Sequence, residues 1–110
     1  MELFNDLQTK TRELEISIKT LRQSGTNYAQ AERDYKVLLR QECLKLRDEG
    51  MAIGMIDKTC YGIPVVAEAR FKRDVAEAVY KANLEAINSI KLQMRLMENQ
   101  LQREYGTNVN

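Results

Sequence analysis

The apolar residues of this chain recur in a seven-residue rhythm over most of its length. Leu7, Leu14, Leu21, Tyr28 and Tyr35 form one series unbroken for five heptads. Phe4, Thr11, Ile18, Gly25, Glu32, Leu39 and Leu46 are the companion series. A three-four alternation of this length marks a helix that lays one stripe against a partner helix. The stripe crosses "RQSGTN", Arg22 to Asn27, although Ser24, Gly25, Thr26 and Asn27 are poor helix formers. Either one helix covers about residues 3–49, with Gly25 at a close contact or a kink, or Gly25 ends a first helix and Thr26 or Asn27 caps a second. The preserved phase favours one helix, because a turn has no reason to keep it.

Gly50 is placed to end that helix as the residue just past its last turn. Pro64 suits the first position of the next helix, and Glu68 favours its first turn. The second helix is predicted over about residues 64–105, stopping at Gly106 and leaving residues 106–110 as a frayed tail. Its heptad places Val66, Arg73, Tyr80, Ile87, Met94 and Leu101 in one series. Ala69, Ala76, Asn83, Ile90 and Met97 make the other. The first half is weaker, since Arg73 is a poor core residue and Val75, Val79 and Ala82 offer a competing stripe. Two helices of matching length, each roughly 60–70 Å at ~1.5 Å per residue, pair along their whole extent. The expectation is an all-α fold in a single domain over residues 1–110. It is a long antiparallel, coiled-coil-like α-helical hairpin, with helices crossing near about +20°.

A second apolar face complicates a lone hairpin. Val75, Ala78, Ala82, Ser89, Leu92 and Leu96 lie off the second helix's seam, and Val37 and Leu44 lie off the first. Apolar residues on two faces imply two contacts per helix. Self-association into a bundle is therefore expected, a homo-oligomer with Val75, Ala78, Ala82, Leu92 and Leu96 in the interface.

The connector over residues 50–63, including "GMAIGMIDKTCYGI", is longer than a helix–helix turn needs and too apolar for a solvated loop. Met51, Ile53, Met55, Ile56 and Tyr61 carry that character. One reading is a cap, with a short turn or helical piece around "MIDKTCY" closing the open end of the hairpin. The other is an exposed tip that docks on a partner through adaptable Met side chains.

Composition narrows the chemistry. The chain has 110 residues, 30% of them charged, one Pro and a net charge of +1. That is a mostly helical composition with no strong global field toward nucleic acid or membrane. There is no His, which removes the commonest general base and metal ligand. Cys43 and Cys60 have no motif spacing, and they read as buried, inert thiols of a reducing interior. The start "MELFNDLQTK" has no basic region followed by an apolar one, and no run approaches the ~20 apolar residues of a membrane span. A soluble protein of the cytoplasm is expected, with no membrane contact.

Acids and bases interleave along both helices. Glu32, Asp34 and Glu42 sit among Arg33, Lys36 and Arg40, the pattern of a solvated face with ion pairs. Glu32 and Asn83 on the seam read as register-setting polar residues. "GMAIG" lacks the spacing and Lys of a phosphate loop. No catalytic, metal or cofactor site is predicted. Arg33, Arg40 and Arg47 share a seven-residue phase with Arg12 and Lys19, and Arg70, Lys72 and Arg73 cluster in "RFKRD". Such a row could follow a phosphate backbone, or it could flank the seam and pair with acids of the neighbouring helix. Tyr28, Tyr35 and Tyr80 could stack on bases, but their heptad places favour core packing.

At "SGTNYAQAERDYKVLLRQE", "LRDEGMAIGMIDK" and "ARFKRDVAEAVYKANLEAINSIKLQMRLMENQLQREYG" the chain resembles small helical proteins encoded by phages and prophages of Gram-positive bacteria. The resemblance covers the chain from about Thr20 onward. It implies a phage gene product made in the host cytoplasm, and it transfers no functional residue. The function expected is that of a non-enzymatic, oligomeric phage accessory protein acting through protein–protein contacts. The alternative is a nucleic-acid-handling module, such as a recombination-mediator-like binder of single-stranded DNA.

Overall fold

Three helices carry the chain in the computed structural model, which describes residues 2–109 and their side chains through Gly106. They are α1, Glu2–Asp48; α2, Ile53–Cys60; and α3, Pro64–Val109, with no strand among the described residues. The protein is an all-α helical hairpin, with α1 and α3 as its two long helices and α2 inside the connection.

Helix α1 does not break at Gly25. Glycine costs a helix interior about 1 kcal/mol relative to alanine, so its presence needs a local reason. A Cβ at this position would meet Cε1 of Tyr80 at 3.2 Å. The missing side chain lets the Tyr80 ring close on the α1 backbone, and the seven-residue phase survives because the helix does.

The end of α1 follows the expected chemistry. Gly50 takes φ +90°, the left-handed region that costs most residues a Cβ clash. Its N–H donates to the Arg47 carbonyl at 3.0 Å, and the Met51 N–H donates to the Leu46 carbonyl at 3.1 Å. These two bonds form a Schellman motif and satisfy carbonyls that the helix end would leave open. Pro64 is the first residue of α3, where its missing N–H costs nothing. The Val66 and Ala67 N–H groups donate to the Ile63 carbonyl. Glu68 falls one residue beyond the first turn, which holds no acidic residue.

The 50–63 connector holds α2 over eight of its residues, the helical piece that the cap reading expects around "MIDKTCY". One expected boundary is corrected. At the other end, α3 runs through Gly106 to Val109, so the frayed tail expected over residues 106–110 is helix as far as it is described. Gly50 is the only glycine with positive φ among the described residues. Gly106 keeps a right-handed backbone and so cannot act as a terminator; Asn110 lies outside the described residues.

The chain divides into two compact units, one from Ser24 to Tyr80 and the other from the residues up to Gln23 together with those from Lys81 onward. In the Ser24–Tyr80 unit, Tyr35, Ile56, Cys60 and Val66 are buried, and so is Ser24. Tyr28 and Tyr80 meet with ring centroids 5.9 Å apart. The Arg73 guanidinium lies 4.6 Å from the Tyr35 ring centroid and bonds Asp74 Oδ1 at 2.8 Å. An arginine at a core heptad position is thus accommodated by stacking its flat face on an aromatic ring while Asp74 takes its edge.

In the other unit the inward residues are aliphatic. Leu7, Leu14, Ile18 and Leu21 from α1 are half-buried, as are Ile90, Met94, Met97 and Leu101 from α3, and Ile87 is buried. Here the expected α1 seam is corrected. Phe4 and Thr11 are exposed, and Leu3, Lys10 and Ser17 take the inward side instead. The Leu7 series has one neighbour at +3 and another at +4, so either flank could face the partner. Lys10 can serve because its aliphatic stem covers the seam while Nζ reaches Glu13 at 3.1 Å.

Candidate functional site

Helix α2 is two-faced, and its register follows from eight residues of sequence. Ile56 and Cys60, four apart, point inward with 7% and 1% of their surface exposed. Ile53 and Met55 face out, at 74% and 53%. The helix starts without a side-chain cap; the Met55 and Ile56 N–H groups both donate to the Ala52 carbonyl. The candidate tip residues therefore separate. Ile56 belongs to the cap, a correction to its reading as tip surface, and Met51 is half-buried; Ile53, Met55 and Tyr61 remain exposed. Cap and tip are two faces of one helix.

Between α1 and α2 lies a groove of about 480 Å³. Leu39, Leu44, Ile53 and Ile56 are its apolar lining, and Lys36, Arg40 and Arg47 line it from α1. Arg40 and Arg47 make no ion pair among the described residues, while Lys36 reaches Glu32 at 3.5 Å. Asp57 is the one acid lining the groove. Tyr61 also lines the groove, with the Arg70 guanidinium 5.7 Å from its ring centroid.

The two cysteines meet in this groove. Cys43 Sγ lies 3.2 Å from Cys60 Sγ, a thiol–thiol hydrogen bond. Cys43, expected to be buried, is half-buried; Cys60 is almost fully enclosed. Burial pushes the Cys60 thiol from 9.0 up to about 11, with the Cys43 hydrogen bond as the next cause. Sequence reading missed this pairing, because residues 43 and 60 lie on different helices with a turn between them. The signal available was positional: Cys43 follows the inward Leu39 by one helical turn, and Cys60 follows Ile56 by one.

Val75 and Ala78 are exposed on α3 in the Ser24–Tyr80 unit, beside Phe71 at 62% and Val79 at 48%. Phe71 was not singled out by the heptad pattern, although its four-residue spacing to Val75 was visible. In the other unit, Ala82, Leu92 and Leu96 are exposed on α3. Of the basic row, Arg33, Arg40, Arg47, Arg70 and Lys72 are exposed. Arg73 is occupied by Tyr35 and Asp74. Tyr28, Tyr35 and Tyr80 face inward, so they pack rather than present rings to bases. The ion pairs of α1, such as Glu32–Lys36 and Glu42–Lys45, run within one helix. Among the described residues no helix is long and apolar enough to cross a membrane, and no group of three or more His, Cys, Asp or Glu is placed to hold a metal ion.

The class that this architecture defines is the all-α helical hairpin with a short capping helix. No protein-family model, curated protein or solved structure matches the chain.

Proposed function

We propose that the protein is a non-enzymatic assembly factor that works by protein–protein contact, as an oligomer of helical hairpins. The observation that carries this reading is the imbalance between covered and uncovered apolar side chains. Among the described residues five apolar side chains are buried, whereas fourteen large ones are exposed. Single exposed apolar residues are ordinary on a protein surface, but grouped ones mark contact sites. Here they are grouped: Phe71, Val75 and Val79 on one α3 face, Leu92 and Leu96 a turn apart further along. A second copy of the chain is the occupant that fits, because the same faces then cover one another. The resemblance of the sequence to phage and prophage proteins supports an accessory role for a phage, in the cytoplasm of its host, with Ile53, Met55 and Tyr61 contacting a phage or host protein.

Light scattering coupled to size exclusion tests this. The expected result is a defined oligomer at micromolar concentration. Val75→Asp with Leu92→Asp and Leu96→Asp should return a monomer that keeps its helicity. A stable wild-type monomer would overturn the reading.

A second reading, single-stranded nucleic acid along Arg33, Arg40 and Arg47, is favoured by the exposed guanidiniums of Arg40 and Arg47, which no acid among the described residues engages. Loss of Arg73 from the row weakens it. Salt-sensitive binding of single-stranded DNA that Arg33→Glu, Arg40→Glu and Arg47→Glu together abolish would support it. Binding that ignores salt would remove it.

A further inference from the structure

We propose that Cys43 and Cys60 form a thiol–disulfide exchange site for small anionic disulfides, with Cys43 as the attacking thiol and Cys60 as the resolving one. Three independent observations converge on this pair. The first is distance. The sulfurs are 3.2 Å apart, within about 1.2 Å of the roughly 2.05 Å of an S–S bond.

Unequal access is the second. Both thiols line the α1–α2 groove, but Cys43 is half-buried whereas Cys60 is 1% exposed. A disulfide arriving from solvent can reach Cys43 and cannot reach Cys60. That asymmetry assigns the order of the two steps.

The third is charge. Arg40 and Arg47 lie three residues before and four after Cys43, which places all three on one face of α1. Both guanidiniums line the groove and neither is engaged by an acid among the described residues, against the single carboxylate of Asp57. A disulfide carrying carboxylates would be drawn to this rim, and one carrying amines would be repelled.

The chemistry balances without a metal or an outside reductant. Cys43 loses its thiol proton, and its thiolate attacks one sulfur of the incoming disulfide. A Cys43 mixed disulfide forms and one small thiolate leaves, taking up a proton from water. Cys60 then loses its proton, and its thiolate attacks Cys43 Sγ. The Cys43–Cys60 bond forms and the second small thiolate departs. Two protein thiols have been oxidised by two electrons, and one small disulfide has been reduced to two thiols. The product ties α2 to α1 across the groove.

The test uses the reduced full-length chain and glutathione disulfide, with acid quenching, alkylation and intact mass measurement. Wild type should end with both thiols protected and no glutathione attached, and peptide mapping should find Cys43 joined to Cys60. Cys60→Ser should stop at a Cys43–glutathione adduct, and Cys43→Ser should stay unmodified. Arg40→Glu with Arg47→Glu should slow the reaction with glutathione disulfide by about tenfold or more, and should not slow that with the cationic disulfide cystamine. Circular dichroism of each variant reports folding. Should Cys60→Ser unfold, the wild-type time course still decides, because the adduct must appear on Cys43 before the internal bond. A wild type that stays glutathionylated overturns the proposal. So does one that links two chains instead, a Cys43→Ser variant that reacts as fast as wild type, or a rate indifferent to charge reversal.

Discussion

The two units of this protein bury their interiors in different ways. The unit from Ser24 to Tyr80 has the poorer heptad on paper: Gly25, Glu32 and Arg73 all sit on its seam. Yet both fully buried side chains, Cys60 and Val66, belong to it. The unit built from the chain ends has the better heptad, with Leu7, Leu14, Leu21, Ile87 and Ile90, and only Ile87 of these is buried. Helix number accounts for the difference. Two helices cover each other along one line and leave both flanks of every seam residue in water. A third helix, even one of eight residues, covers a flank. Full burial of a Val or Ile side chain stabilises by about 1.5–3 kcal/mol, so α2 adds more to its unit than its length implies. The aliphatic heptad supplies the material for a core, and a third surface must still enclose it, either from the same chain or from another copy.

The largest expected effect tests α2 itself. Ile56→Asp places a carboxylate where 7% of the side chain sees solvent, and should cost about 4 kcal/mol or cause unfolding, read by urea denaturation. Met55→Asp, one residue away on the outer face, should change stability by less than about 0.5 kcal/mol. Equal effects would mean that α2 does not discriminate its faces.

Next is the aliphatic unit. Ile87→Ala should cost about 3 kcal/mol, from lost transfer energy and a cavity. Leu14→Ala, at a half-exposed position, should cost about half of that. If Leu14→Ala proves as costly as Ile87→Ala at concentrations where the oligomer persists, and becomes cheap on dilution, then a second copy completes the enclosure.

Gly25 should show a smaller effect. Gly25→Val would drive a branched side chain into Tyr80, 3.2 Å from where its Cβ begins, and should destabilise by about 1–3 kcal/mol. A neutral result would show that the Tyr80 ring moves aside without loss.

The last expected effect is a slope. Cys60 holds its proton more tightly in the folded chain, up to about 11 against 9.0. A group whose folded value is raised contributes stability that is complete below the unfolded value and lost as pH passes the folded one. Stability should therefore fall between about pH 9 and 11 by more in wild type than in Cys60→Ala. Parallel curves for the two would remove Cys60 as the cause.

Much of this architecture was legible from residue order. The seven-residue phase through "RQSGTN" pointed to a continuous α1, and Gly50 and Pro64 marked the turn because their backbone preferences are local. The α3 seam was read correctly at every position from Val66 to Leu101, all of them buried or half-buried. The α1 seam was read correctly at its Leu and Tyr series and wrongly at Phe4 and Thr11. A heptad defines a stripe, but which flank of the stripe meets the partner depends on how the helices are rotated against each other. Gly106 looked like a stop signal and was not one, because a glycine terminates a helix only when its backbone turns left-handed.

The sequence by itself determined the two long helices, the turn marked by Gly50 and Pro64, and the apolar stripe, since these rest on preferences of neighbouring residues and on a period counted along one chain. Only the tertiary structure decided which face of α2 is lid and which is surface, how Arg73 fits against Tyr35, and that Cys43 and Cys60 touch. Those facts depend on side chains from separate helices arriving at the same place, and a linear pattern holds no distance across a turn.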